Sequence, residues 1–440
     1  MIRSLAFLIC LALAVTDPAR AQGLLRDPDI EYALGKVAEP VLNAAGLGMA
    51  SIDILVVDDG NFNAFVVDRN HIFINSGLIQ RMRTPAMLQA VIAHEAAHIT
   101  NGHLMRRPIN LRNARTAAGI GSILAAAAAV AAGAGEAAGA VALGAQNTAM
   151  RLFFVHTRAE ESAADQSGMR YLARAGIDPN GMLDVLDIFR GQELLVASRQ
   201  DPYARTHPLS QDRYRVVARL SEAYFTTIED DPDARYWFAR AKSKLSAFRR
   251  APKWTHTRAG EYGFADVEAM RRAVAWHRSH DMKKALAALE RALAARPDDP
   301  FYHELKGQIL MENRRFADAA ATYERAAQIA PRNALILGAY GRALLADGQT
   351  QKALEYLETA RARDARDGRV LRDLARAYAQ QGKRGMASVV TAERYAMYNK
   401  MEDAALHARR ASASLPQGTG GWRRAQDVLI AAERARKQKR

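Results

Sequence analysis

Apolar residues recur at helical spacing from Arg26 to Gly46, where RDPDIEYALGKVAEPVLNAAG runs out on a glycine. Three short β-like runs follow, Ser51–Val57, Ala64–Val67 and Ile72–Asn75. Asp58-Asp59-Gly60-Asn61 and Arg69-Asn70 supply the turns between them. From Pro85, suited to a helix start, the helical pattern returns in PAMLQAVIAHEAAHITNG. These elements predict a small antiparallel sheet beside helices over residues 25 to about 220. Asn63–Val67 reads either as an ordinary core strand or as an edge strand able to pair with an extended peptide.

Residues 116–146 stand apart as an alanine- and glycine-rich stretch. The uncharged run Thr116–Gly135 has the length of a membrane span, but small residues supply little transfer energy and Glu136 interrupts it. The pattern favours a helical hairpin that packs on the protein or dips into a membrane surface. The second half is periodic. Ala285, Ala319, Ala353 and Ala387 lie 34 residues apart, as do Gly307 and Gly341, and Pro297 and Pro331. Ala292, Ala326 and Ala360 repeat seven residues after the first three alanines. That period resembles tetratricopeptide repeats, in which small residues let two helices of a hairpin meet closely. The register predicts three good repeats from Arg271 to about Ala365, a degraded fourth and a helical cap, with Ala404, Ala411 and Pro416 out of phase.

Charge and cysteine content narrow the setting. The 440-residue chain has 62 basic and 47 acidic side chains, a formal net charge of +15, and a single cysteine, Cys10. No disulfide scaffold and no cysteine-built zinc site can be assembled from it. MIRSLAFLICLALAVTDPARA has a basic start at Arg3, an apolar stretch and a small-x-small site at Ala19-Arg20-Ala21, the three parts of a secretory signal. Cutting after Ala21 removes Arg3, Asp17 and Arg20, takes the charge from +15 to +14 and leaves no cysteine, which fits the bacterial periplasm. Nucleic-acid binding would rest on net charge alone, without aromatic platforms or a recognition motif. The basic residues spread along helices and in the tail from Arg423 to Arg440 fit a solvated surface or a peripheral contact with anionic membrane.

The sharpest chemical signal is His94-Glu95-Ala96-Ala97-His98. Histidines at i and i+4 project from one helix face and can hold one metal ion, for which two histidines and a carboxylate suit zinc. Glu95, turned about 100° from its neighbour, sits beside the metal's open position, where it can take a proton from water and pass it to a leaving amine. A third ligand is needed. Position 101 is Asn and the nearby histidine is His103, which disfavours the three-histidine solution with a glycine at 101. In RAEESAAD, Glu161 and Asp165 lie one turn apart, so Glu161 can bind the metal while Asp165 hydrogen-bonds a ligating histidine. Glu160 is the alternative ligand, and the spacing to Asp165 favours Glu161. His103 and His156 read as surface or packing residues, while His71, His256, His277, His280, His303 and His407 show no ligand spacing.

HEAAH followed by Glu161, Asp165 and Gly168 resembles gluzincin metallopeptidases related to the CAAX prenyl proteases. The secretory signal, the FNAFVV and IFINSGLI segments and the repeats narrow the likeness to the periplasmic BepA-like peptidase-chaperones of Gram-negative bacteria. The resemblance covers most of residues 25 to 400. It implies an α+β zincin-like metallopeptidase domain, mostly helical with a small antiparallel sheet, followed by an all-α tetratricopeptide-repeat solenoid. The division is a signal at 1–21, a peptidase domain at 22–264, repeats at 265–420 and a basic tail at 421–440. By the same resemblance His94, His98 and Glu161 hold one Zn2+, Glu95 is the general acid/base and Asp165 a supporting residue. A family THP segment recurs as Thr206-His207-Pro208, which would place His207 in the metal's fourth position in a latent state; by itself, a histidine before proline reads as a turn residue. His156-Thr157-Arg158 departs from the Ser-Arg pair expected ahead of the ligand helix. Implied clients are misfolded or stalled outer-membrane proteins, and the implied partner is the outer-membrane β-barrel assembly machinery.

Overall fold

The computed structural model describes residues 23–48, 51–103, 158–191, 203–204, 207–224, 231–365 and 367–438. The signal at 1–21, the alanine-rich stretch at 116–146 and His156 lie outside the described residues. The chain divides into two compact units, one of Met1–Leu25 with Ala38–Glu229 and one of Arg26–Val37 with Asp230–Arg440. Residues 230–264, grouped with the peptidase half on sequence, thus fall in the second unit, together with the first half of the N-terminal helix α1 (Pro28–Ala44). No helix among the described residues is long and apolar enough to cross a membrane.

The first unit is built on a four-stranded sheet, β1 (Leu24–Leu25), β2 (Asp53–Val57), β3 (Ala64–Val66) and β4 (His71–Asn75), in the order β1-β2-β4-β3. The sheet is mixed where the sequence reading had it antiparallel. β3 and β4 form a hairpin, but β4 lies between β3 and β2 and pairs parallel with β2, Ile54 opposite Ile72 and Val56 opposite Ile74. The reason is connectivity. The chain leaves β2, makes the β3 edge first and returns along β2 in the same direction. That parallel pair also explains the burial pattern, since Ile54, Val56, Ile72 and Ile74 are all shielded from water. β3 is therefore an edge strand, as one of the two sequence readings has it, with Phe65 stacked on Phe73 across the pair at 5.2 Å.

A short helix, α2 (Ser76–Arg81), continues directly from β4. It is followed by α3 (Pro85–Thr100), whose start is set by Pro85 and by Thr84, whose hydroxyl oxygen accepts from the Met87 amide. Every residue of α3 from Met87 to His98 is buried, so this helix is the unit's central rod and not an amphipathic surface element. The helical residues 158–174 form α4, followed by α5 (Asn180–Phe189) and α6 (Gln211–Tyr224). Two glycines allow close packing on α3. A Cβ on Gly181 would lie 2.6 Å from the Ala86 carbonyl, and one on Gly168 would lie 3.4 Å from the His94 amide.

The second unit is a run of helices from α7 (Pro232–Arg249) and α8 (Pro252–Thr257) through five pairs. These are α9 (Ala265–Arg278) with α10 (Met282–Ala295), α11 (Pro300–Glu312) with α12 (Phe316–Ile329), and α13 (Ala334–Ala346) with α14 (Thr350–Arg363). They continue with α15 (Gly368–Gln380), α16 (Arg384–Met397), α17 (Met401–Ser414) and α18 (Gly420–Gln438). Ala285, Ala319 and Ala353 are fully buried at the hairpin seams. A Cβ on Gly307 would meet the Tyr323 ring at 2.7 Å and one on Gly341 would meet Leu357 Cγ at 2.6 Å, which is why glycine recurs there. His280, Arg314, Gly348 and Gly382, again 34 residues apart, take positive φ in the turns between paired helices. The fourth hairpin is thus as regular in geometry as the first three, although its sequence reads as degraded. The next positive-φ turn comes at Asn399, 17 residues on, and this half-period accounts for the alanines that resume out of phase. The segment read as a basic tail is α18, which buries Ala425 and Val428 against α16 and α17.

Candidate metal centre

α3 carries His94 and His98 on one face, and α4 brings Glu161 to them across the close contact that Gly168 permits. The His94 and His98 Nε2 atoms are 3.1 Å apart, and Glu161 Oε2 and Oε1 lie 3.1 and 3.3 Å from them, respectively. His207 closes the fourth side. Its Nδ1 is 2.9 Å from Glu161 Oε2 and 3.2 Å from His94 Nε2, and its Nε2 is 3.5 Å from Glu95 Oε1. All four groups are buried, with ligand atoms within 4.8 Å of one another. Four ligands placed tetrahedrally about 2.1 Å from a zinc ion stand roughly 3.4 Å apart, so the spacing and the His/His/Glu/His donor set fit such an ion. Glu161 Oε1 is buried and has no hydrogen-bond partner among the described residues, as a metal ligand atom would. Glu160, the alternative on sequence, is half-buried and outside this group.

The far nitrogens of the two helical histidines are fixed in turn. His94 Nδ1 lies 3.0 Å from Asp165 Oδ1, and His98 Nδ1 lies 2.9 Å from His103 Nδ1. Each ring therefore presents Nε2 to the centre. His103 was read on sequence as a surface or packing residue; it is buried and orients His98. Asp165 is held from behind by Arg213, whose Nε and Nη2 donate to its two oxygens at 2.7 and 2.9 Å. Arg213 has no local motif around it, and its distance of 48 residues from Asp165 hides the pair from any spacing argument.

The electrostatics favour a cation at the centre. Burial disfavours charge on His94, but hydrogen bonds to Asp165 and Glu161 outweigh it and raise its pKa to about 10. Burial, with the neighbouring imidazoles, pushes His98 down to about 3, so it stays neutral and able to ligate. Burial alone would raise both carboxyl groups. His207, with the other two imidazoles, holds Glu161 well below the usual range, and Arg213 with His94 does the same for Asp165.

Comparison with known proteins covers the stretch of chain that carries this geometry. The model of peptidase family M48 matches residues 27–221, and tetratricopeptide-repeat models match 278–334, 310–370 and 344–390.

Residues 27–221 are a family M48 peptidase domain.

The M48 domain and the repeats also align with parts of longer relatives. A Vibrio cholerae relative is 28% identical over 250 residues, 51% of this chain and 50% of that protein. The "Beta-barrel assembly-enhancing protease" of Escherichia coli O157:H7 is 24% identical over 405 residues, 90% of this chain and 81% of its own length. The protein of that name from strain K12 is 23% identical over the same span. The chain therefore covers about half the length of the Vibrio relative and four-fifths of the Escherichia ones. The metallopeptidase class and the α+β domain followed by helical repeats, expected from the sequence, are both found.

Proposed function

We propose that the chain is a zinc endopeptidase, exported to the periplasm, that cleaves protein clients. The observation that carries the reading is the convergence of His94, His98, Glu161 and His207 beside Glu95 in a buried cluster of an M48 domain. His94, His98 and Glu161 are the residues to hold the ion. Zinc bound there supplies Lewis acidity toward the scissile carbonyl and toward water. Glu95, next to His94 on α3 and within 3.5 Å of the His207 ring, takes the proton from the attacking water and returns it to the leaving amine. Asp165 and His103 keep the two ligand rings in the orientation that ligation requires. The β3 edge, packed beside α3 and without an outer strand partner among the described residues, is placed to pair with an extended substrate strand.

On this reading the clients are misfolded or stalled outer-membrane proteins, with the repeats holding a client or the β-barrel assembly machinery; the name of the Escherichia relatives, which joins a protease to β-barrel assembly, agrees with it. A second reading, a chaperone or adaptor with a latent zinc site, is favoured by one observation. His207 stands where a substrate or water would enter, and a site with four protein ligands is closed. Casein cleavage and zinc content of wild type, Glu95→Gln and His207→Ala separate the readings. The peptidase reading expects Glu95→Gln to lose cleavage by about a hundredfold or more with zinc retained, and His207→Ala to gain it. Bound zinc without cleavage in wild type or His207→Ala would leave only the chaperone reading.

A further inference from the structure

Arg213 is buried, and its guanidinium serves two segments at once. One side of the fork clamps Asp165 on α4 through Nε and Nη2. The other side, Nη1, donates to the backbone carbonyls of His207 at 3.3 Å and Pro208 at 2.8 Å, and lies 3.4 Å from Glu161 Oε2. The preceding side of the His207 segment is tied differently. The His207 amide donates to the Tyr203 carbonyl at 2.7 Å, the two rings pack at 4.5 Å, and the Tyr203 amide donates to the Phe62 carbonyl at 3.2 Å. Past His207, the Arg213 fork holds the carbonyls, and Arg213 is itself set at the start of α6, where its amide donates to Ser210 Oγ. A planar group with five donors can satisfy a carboxylate and two carbonyls in different directions; an ammonium cannot do so in the same place.

We propose that Arg213 is a positioning residue that holds His207 in the fourth position of the metal centre, so that its fork sets how often the site opens. This rests on the reading of His94, His98 and Glu161 as metal ligands. Two contacts distinguish the role from mere support of Asp165. Nη1 touches the carbonyls that carry His207, and those bonds have no bearing on how Asp165 orients His94. Hydrogen bonds from a charged donor are worth enough that losing them should raise the open fraction by about tenfold or more.

The test uses the full chain loaded with cobalt(II), whose visible absorption reports the ligand set independently of turnover, in wild type, Arg213→Lys, His207→Ala and the double variant. The proposal expects Arg213→Lys to keep one cobalt per chain with its spectrum moved toward that of His207→Ala. Casein cleavage should rise in both single variants, and the double variant should exceed neither. Arg213→Gln, which keeps donors for the carbonyls without the charge, should give a smaller spectral move and serves if Arg213→Lys lowers the melting temperature. A wild-type spectrum and wild-type cleavage in both Arg213 variants would overturn the proposal. So would loss of cobalt with loss of cleavage, since Arg213 would then act only through Asp165. Failure of wild type to bind cobalt at all would instead bring down the ligand assignment, and this proposal with it.

Discussion

Two clusters of buried charge, one in each unit, solve the same physical problem in opposite ways. In the M48 domain, Glu161 and Asp165 are surrounded by three imidazoles and one guanidinium, and the ligand atoms crowd toward a common point that no lysine or arginine among the described residues fills. In the repeat unit, Asp29 of α1, Asp299 and Glu304 surround cations that the chain itself provides. Arg240 donates to Asp29 at 2.6 Å and to Asp299 at 2.5 and 2.8 Å, while Lys244 Nζ lies 3.0 Å from Asp27 and 3.7 Å from Glu304. Arg240 is further packed against the rings of Tyr302 and Trp237. A buried carboxylate needs a positive partner wherever it lies. Where the protein supplies that partner, the cluster holds structure together. Where it aims imidazoles and a carboxylate at one point, the cluster is suited to bind an ion.

The comparison is most sharply tested by chelation. Removing the metal should take cleavage to background and lower the unfolding midpoint of the M48 domain, because an ion that binds only the folded form stabilises it. The repeat unit should unfold as before, since its cation is covalent; a parallel drop in both transitions would break the distinction. Next in size is Arg240→Ala. Leaving Asp29 and Asp299 without their guanidinium should cost the repeat unit about 3–5 kcal/mol in urea unfolding, with metal content unchanged. A loss below about 1 kcal/mol, the worth of an exposed ion pair, would demote the cluster to an incidental one.

The smallest effect is one of pH. Burial pushes Glu304 up to about 7 against the attraction of Lys244, with Asp27 and Asp29 adding repulsion and Arg369 attraction. A carboxyl whose folded pKa is raised binds its proton more tightly when folded. Its contribution is full below the ordinary carboxyl range and is lost as pH rises through about 7. Glu161 and Asp165, both lowered, have the opposite sign, and their contribution disappears in acid. Glu304→Gln should therefore flatten a decline of repeat-unit stability between about pH 5 and 8. An unchanged slope would show that Glu304 does not titrate in that window.

What could be read from the sequence was what lies within one or two helical turns or at a fixed period. HEAAH and the Glu161–Asp165 pair are local patterns on single helices, and the 34-residue alanine register reports hairpin seams directly. His207 came only with a family likeness, because nothing in Thr206-His207-Pro208 separates a ligand from a turn. His103 and Arg213 escaped because each acts through a neighbour. His103 meets His98 five residues away by Nδ1 contact, and Arg213 reaches Asp165 from another helix. The parallel β2–β4 pair and the assignment of Asp27 and Asp29 to the repeat unit are likewise choices of long-range partner. Hydrophobic periodicity does not encode them. The positive-φ turn at Arg314 is hidden for a different reason, since arginine does not advertise that conformation.

The account rests on an ion in the buried His/Glu constellation, and the direct measurement is elemental analysis of the purified protein, wild type beside Glu161→Gln and Glu95→Gln. It predicts close to one zinc per chain in wild type and Glu95→Gln and a clear deficit in Glu161→Gln. Folded wild-type protein that carries no zinc, and takes none up when titrated with it, would contradict the central claim.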